Sequence, residues 1–223
     1  MKGLALQTQN FEALPTHICV DESPRVLSEA YCADVNLAVW TRESAHAGAA
    51  HVAPAWYEEV VASQFSARVR IDATCSDVER ILSPLPAGDA RAIFADDLRF
   101  VAEVFADLTS ATELGMRLET VDRDLCRFWH TDKVSLRLIT TFYGAGTEWL
   151  GNHHVWRDRL NEQADDNPFV VLRPGAIIHQ LRERDIGVFK GDAWPAPHQA
   201  IVHRSPHVAP GSRRLLLTLD PLA

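Results

Sequence analysis

The residues best suited to chemistry lie in one stretch, Cys126 to Trp149, which reads CRFWHTDKVSLRLITTFYGAGTEW. His130 and Asp132 form an H-x-D pair within it. In an extended strand successive side chains point to opposite faces, so these two project from one side, about 7 Å apart along the backbone. An imidazole nitrogen and a carboxylate oxygen so placed suit one divalent metal ion. The alternation runs on through Val134, Leu136 and Leu138, with Ser135 and Arg137 on the opposite face. The spacing therefore predicts the pair at the end of a half-buried strand.

Two ligands do not make a site, and a short motif in a chain with ten histidines needs support from elsewhere. The best third ligand is His203, in the apolar segment Ile201–Arg204, far enough along the chain for intervening strands to bring it back beside the first pair. Two histidines and one carboxylate on a face of an octahedral ion leave three positions open, the donor set of non-haem Fe(II) oxygenases. A closed structural zinc site would more often use four protein ligands including cysteine. Here only Cys126 is near, and it reads as a small buried side chain. Zinc stays open as an alternative metal, because affinity trends favour it over iron at nitrogen and oxygen donors. A zinc hydrolase would also need a general base, for which Glu148 is the nearest residue in sequence.

The segment after His203 carries Gly211, Arg213 and Arg214 and then the hydrophobic run LLLTLD. A glycine eight residues beyond the distal histidine and a basic residue ten beyond it resemble the pattern of the Fe(II)- and 2-oxoglutarate-dependent dioxygenases. The glycine turn Gly144–Trp149 is similar to the turn after the first metal strand in many of them. That resemblance spans about residues 115 to 220 and implies a double-stranded β-helix in which His130, Asp132 and His203 hold Fe(II) as the catalytic centre. It also implies an arginine that pairs with the far carboxylate of 2-oxoglutarate, consistent with the bidentate fit of guanidinium to carboxylate. Arg213 is the expected anchor and Arg214, on the other face, the reserve. The co-reactant would be molecular oxygen, and the implied reaction is hydroxylation of a small-molecule substrate or of a side chain. The whole chain further resembles an uncharacterised bacterial family of unknown function, through FWHTDKVSLRLITTFYGAGTEWL, FKGDAWP and VHRSP. The alternative kept open by that likeness is a non-catalytic, zinc-handling protein on the same fold.

Three further residues are candidates for substrate contact: Arg137, which could equally extend along the outer face of the sheet, and Tyr143 and Trp149, which could equally be core. His153 and His154 read as a polar loop, and His179, His198 and His207 as surface or hydrogen-bonded histidines. Asp192 to Pro195 reads as a loop at the pocket rim.

The elements that must hold these residues divide in two. Before Gly115 the pattern is mainly helical, with a short helix over Pro24–Tyr31, a buried strand over Val35–Trp40 and a helix from Pro54. An S-x-x-E capping box follows at Ser76 and Glu79. A long helix runs from about Ala90 to Leu108, burying Phe94, Leu98, Val101 and Phe105 and turning Asp96, Asp97 and Glu103 outward. From Gly115 onward the period falls toward two, with strands predicted over Met116–Thr120, Phe169–Leu172, Ala176–Leu181, Ile186–Lys190, Ile201–Arg204 and Arg214–Leu219. The expected fold is α+β: a jelly-roll, cupin-like double-stranded β-helix over 115–223, with a mainly helical part over 1–114 packed against it as one compact unit.

Composition agrees with a folded chain of one domain, at 47% hydrophobic and 23% charged residues. A net charge of −8 disfavours general nucleic-acid binding. Four cysteines without a C-x-x-C pair fit a reducing cytoplasm. The first residues are too briefly apolar for a signal sequence, and no stretch is long enough to span a membrane.

Overall fold

Alternation along Leu136–Tyr143 sends Leu136, Leu138 and Phe142 to one side of the strand and Ile139 to the other, and the layers follow that division. The computed structural model describes residues 15–42, 51–123, 125–195 and 200–222. The reading of the opening residues as too briefly apolar for a signal sequence and the reading of His198 fall outside them. Among the described residues no helix is long and apolar enough to cross a membrane.

Among the described residues ten strands form two sheets. The first seven in use are β1 (Ile18–Asp21), β2 (Leu37–Trp40), β3 (Ser66–Asp72), β4 (Glu113–Val121), β5 (Leu136–Tyr143), β8 (Ile186–Lys190) and β10 (Arg214–Leu222). They make the major sheet in the order β1-β2-β8-β5-β10-β4-β3, antiparallel except for the β1/β2 pair. The minor sheet has the order β7-β6-β9, from Ile178–Gln180, Glu148–Leu150 and Val202–Arg204. Ile18, Leu37, Val39, Ile139 and Phe189 of the major sheet meet Trp149, Leu181 and Ile201 from the side of the minor sheet in one apolar cluster, so the two sheets face each other.

Helices cover the other face of the major sheet: α1 (Pro54–Ala62), the short α2 (Val78–Leu82) and α3 (Asp89–Thr109). The period of 3.6 residues puts Phe94, Leu98, Val101 and Phe105 of α3 on one stripe, all fully buried. Each contributes roughly 1.5–3 kcal/mol of burial free energy. They pack with Leu215, Leu217 and Leu219 of β10 and Leu114, Met116 and Leu118 of β4.

Several expectations change. The part before residue 115 is not a helical layer alone, because β1, β2 and β3 lie in the same sheet as the later strands; β3 pairs with β4 and β2 with β8. Strand β3 escaped the sequence reading because its polar face, Ser66, Arg68, Arg70 and Asp72, gives it little apolar content. Asp97 is buried, with its carboxylate bound to Arg42, where the helical stripe alone turns it outward. Ser76 does not cap a helix: its hydroxyl binds Asp72, and α2 starts from Asp77 without a side-chain cap. Phe169–Leu172 is a turn with a single bridge, Val155 to Leu172, inside an irregular segment between β6 and β7. Val155 and Val171 of that segment bury Leu150, Val202 and Trp129 on the outer face of the minor sheet.

Candidate metal centre

His130 and Asp132 do not sit on one strand with Leu136. His130 makes an isolated antiparallel bridge to His203, with reciprocal backbone bonds of 3.0 Å, and so joins the edge of the minor sheet beside β9. The chain then crosses through an irregular turn and enters β5 of the major sheet only at Leu136. The H-x-D pair therefore spans the crossing between the two sheets. This is the physical reason that Arg137 ends on the metal-ligand side although strand alternation puts it opposite.

A second segment fixes this crossing. Gly191 N–H donates to Ser135 O at 2.9 Å, and Asp192 N–H donates to Asp132 O at 2.8 Å. Asp192 also accepts from the Thr131 hydroxyl at 2.9 Å and pairs with Lys133. A side chain at 191 is excluded by space, since a Cβ there would lie 2.1 Å from Val134 O and 2.8 Å from Asp132 O. The FKGDAWP segment is thus a clamp on the metal-pair turn as well as a loop. Sequence reasoning missed that role, because backbone-to-backbone pairing leaves no mark in residue type.

One ligand atom from each of His130, Asp132 and His203 can be chosen so that all lie within 4.8 Å of one another. Among the described residues no other group of three His, Cys, Asp or Glu side chains comes together in this way. The two imidazole centroids are 4.5 Å apart, and His203 Nε2 is 3.4 Å from Asp132 Oδ2. His130 Nδ1 donates to Phe128 O at 2.9 Å and His203 Nδ1 faces Ile201 O at 3.3 Å. A carbonyl can only accept, so both rings carry their proton on Nδ1 and keep the Nε2 lone pair for an ion. Burial pulls the His203 pKa down to about 4, against the opposing pull of Asp132, so its imidazole is neutral at pH 7 as ligation requires.

Asp132 is held from one side only. Its Oδ1 is bound by the Arg137 guanidinium, which also takes both oxygens of Asp220 at 2.6 and 2.7 Å. Burial works against the charged Arg137, and the bonds to Asp220 and Asp132 outweigh it. The other carboxylate oxygen, Asp132 Oδ2, is buried without a hydrogen-bond partner. An orphaned buried carboxylate oxygen costs several kcal/mol unless a cation satisfies it, and with two Nε2 lone pairs beside it the donor set fits a divalent ion.

His130, His203, Arg137 and Arg214 line one cavity of about 110 Å³ between the sheets. Arg214 is 2% exposed and donates to Ser205 Oγ at 2.9 Å and Thr141 Oγ1 at 3.1 Å. Alternation along β10 sends Leu215, Leu217 and Leu219 to the helices and turns Arg214, Leu216 and Thr218 into this cavity. Arg213 lines a different cleft with Glu58, Glu183 and Tyr143. Tyr143 stacks on Tyr57 at 6.2 Å beside the helices, away from the histidines. Trp149 is core, 1% exposed and stacked on His179 at 4.1 Å. Cys126 is exposed at the cavity wall, contrary to the buried reading. Glu148 is bound to Arg204 Nε at 2.7 Å, on the face of β6 opposite Trp149.

The fold is shared with solved structures at low identity. Dioxygenase for auxin oxidation 1 from Arabidopsis thaliana, in a complex with 2-oxoglutarate, superposes with a TM-score of 0.55 at 11% identity, covering 92% of each chain. The dioxygenase for auxin oxidation from rice gives 0.51 at 13% identity, over 92% of this chain and 82% of that one. The architecture is therefore of the jelly-roll kind found in 2-oxoglutarate oxygenases, here with the major sheet left open at its edges. No curated protein sequence matches the chain. Over residues 21–220 the chain matches, and it belongs to, the family described as "Protein of unknown function (DUF1826)".

Proposed function

We propose that this protein is an Fe(II)- and 2-oxoglutarate-dependent oxygenase acting on a small molecule, with the reducing cytoplasm as its compartment. His130, Asp132 and His203 would hold the ion, and Arg214, in place of Arg213, would receive the far carboxylate of 2-oxoglutarate. The observation that carries this reading is the orphaned Oδ2 of Asp132 facing His203 Nε2, beside a cavity that also contains a buried guanidinium. Its support from relatives is the fold shared with the Arabidopsis dioxygenase, which binds 2-oxoglutarate.

The chain's own residues divide the work. Phe128 O and Ile201 O hold the two imidazoles in the ligating tautomer. Arg137 fixes Asp132 so that one oxygen is presented and the other is not. Ser205 and Thr141 orient the Arg214 fork, whose two donors suit a carboxylate. Leu216 and Ile139 keep the cavity wall apolar, which strengthens each charge interaction inside it. Fe(II) bound there would supply oxygen activation coupled to decarboxylation of 2-oxoglutarate.

A zinc-handling protein on this fold would have no use for a buried arginine beside the three ligands. A zinc hydrolase would lack its base, because Glu148 is committed to Arg204. Anaerobic loading of the apo protein with Fe(II) and then 2-oxoglutarate tests the reading. A weak visible charge-transfer band is expected, absent in His203→Ala and much reduced in Arg214→Gln. Tight zinc binding through the same three residues with no band in the wild type would overturn the oxygenase reading.

A further inference from the structure

The cavity is cationic in an acidic protein. The chain carries a net charge of −8, yet four guanidinium groups, Arg117, Arg137, Arg204 and Arg214, line this cavity against one carboxylate, Glu119. A low-dielectric cleft lined by one sign of charge concentrates ligands of the other sign.

The four arginines differ in their commitments. Arg204 is bound to Glu148 and lies over Trp129 at 4.4 Å and Phe169 at 5.2 Å. Arg137 is taken up by Asp220 and Asp132. Arg214 is the anchor assigned to the co-substrate. Glu119 does not offset the remainder, because it is bound outward to Arg68. Arg117 is left with one 3.1 Å bond to Asp220 Oδ2, an oxygen that already accepts from Arg137 at 2.7 Å. Arg137 has Asp132 as a second partner, whereas Arg117 has only its share of Asp220; with 43% of its side chain exposed, Arg117 is the guanidinium at the open side with donors to spare. Beside it are apolar surfaces of Leu125, which is 40% exposed, and Leu216.

We propose that the substrate is a small carboxylic acid with an apolar body, its carboxylate received by Arg117 and its body lying against Leu125 and Leu216. This rests on the oxygenase reading of the site. A guanidinium offers two parallel donors, which suits a carboxylate better than a spherical anion. The same contact penalises a neutral analogue, because an amide cannot supply the second acceptor and leaves part of the Arg117 fork unanswered. Arg117 is a specificity-determining residue in this account, apart from the metal ligands and the co-substrate anchor.

The test uses the full chain loaded with Zn(II), which is redox-inert, and 2-oxoglutarate. Ligand-observed NMR titration then compares matched pairs of probes: hexanoate with hexanamide, and phenylacetate with phenylacetamide. At least one acid is expected to bind tenfold or more tightly than its amide. Arg117→Gln should abolish that preference while leaving Zn(II) and 2-oxoglutarate affinities within twofold, and Arg117→Lys should restore part of it. Equal binding of acid and amide, a preference that survives Arg117→Gln, or binding of neither acid to the loaded wild type would each overturn the inference and leave the oxygenase reading intact. Failure of wild type to bind Zn(II) or 2-oxoglutarate would instead overturn the oxygenase reading, and this inference with it.

Discussion

The guanidinium of Arg137 binds Oδ1 of Asp132 and leaves Oδ2 facing His203 Nε2 at 3.4 Å. It therefore selects which carboxylate oxygen is offered to an ion. Its charge is largely answered by Asp220, so its loss removes orientation more than it removes repulsion of a cation. Arg137→Gln is expected to weaken Zn(II) or Co(II) binding by roughly 10–100-fold, the usual effect of losing a partner that orients a ligand. Arg137→Lys, which keeps the charge without the fork, should recover little of it. Competition titration with a chromophoric chelator reads the change. Unchanged affinity in Arg137→Gln would show that Asp132 is positioned by the backbone alone.

Arg213 and Arg214 are adjacent, but only Arg214 lines the cavity that holds His130 and His203. Arg214→Gln is expected to weaken 2-oxoglutarate binding to the metal-loaded protein by about 30-fold or more, the loss of a buried charge-assisted bond being on the order of 2–5 kcal/mol. Metal affinity should stay within a few-fold, and Arg213→Gln should change neither quantity. Calorimetric titration of 2-oxoglutarate into both variants decides between them. A loss confined to Arg213→Gln would exclude Arg214 as the anchor.

The contrast between these arginines shows what the sequence made legible. Residue types and order were enough to bring His130, Asp132 and His203 together as one candidate site, because each motif carries its own donors. Faces were harder. Counting by twos from His130 fails at the turn where the chain leaves the minor sheet and enters β5, so Arg137 was read on the wrong side. The start of β10 at Arg214 was legible, but which of its two faces meets the ligand cavity depends on how the sheets pack, which composition does not mark. Helix α3 was legible because its stripe is long, whereas β3 and the buried Arg42–Asp97 pair depend on partners distant in sequence. A buried ion pair between distant residues leaves no periodic signal.

Acid should destabilise the metal-free protein before its carboxylates titrate. Burial is the largest cause holding His17, His179 and His203 at pKa values of about 4 in the folded state. All three lie near 6.5 in the unfolded chain. Between those values the unfolded state binds more protons, so stability is fully present above about pH 6.5 and is lost as pH falls toward 4. Denaturant titrations at pH 7, 6, 5 and 4 should show a falling midpoint across this window. His179→Gln should flatten the slope in part while leaving the metal ligands in place. A midpoint independent of pH between 6.5 and 4.5 would contradict the neutral state of these rings, His203 buried and His17 and His179 half-buried.

Gly191 tests whether the clamp on the metal-pair turn matters to the ion. Its Cβ would meet Val134 O at 2.1 Å and Asp132 O at 2.8 Å, both backbone atoms that cannot swing aside as a side chain can. Gly191→Ala must therefore displace the turn that carries Asp132 or break the 2.8 Å bond from Asp192 N–H. Overpacking of this kind costs roughly 1–3 kcal/mol, and the displacement falls on a ligand, so metal affinity should drop together with stability. Gly211→Ala is the control. Its φ is positive, +84°, unlike that of Gly191, but no atom lies within 4 Å of its Cβ, so it should cost about 1 kcal/mol through backbone strain and leave metal affinity alone. Thermal unfolding and Zn(II) titration of both variants separate the two effects. A Gly191→Ala protein with reduced stability and unaltered Zn(II) affinity would mean that the turn yields without moving Asp132 Oδ2, and that Arg137 alone sets its position.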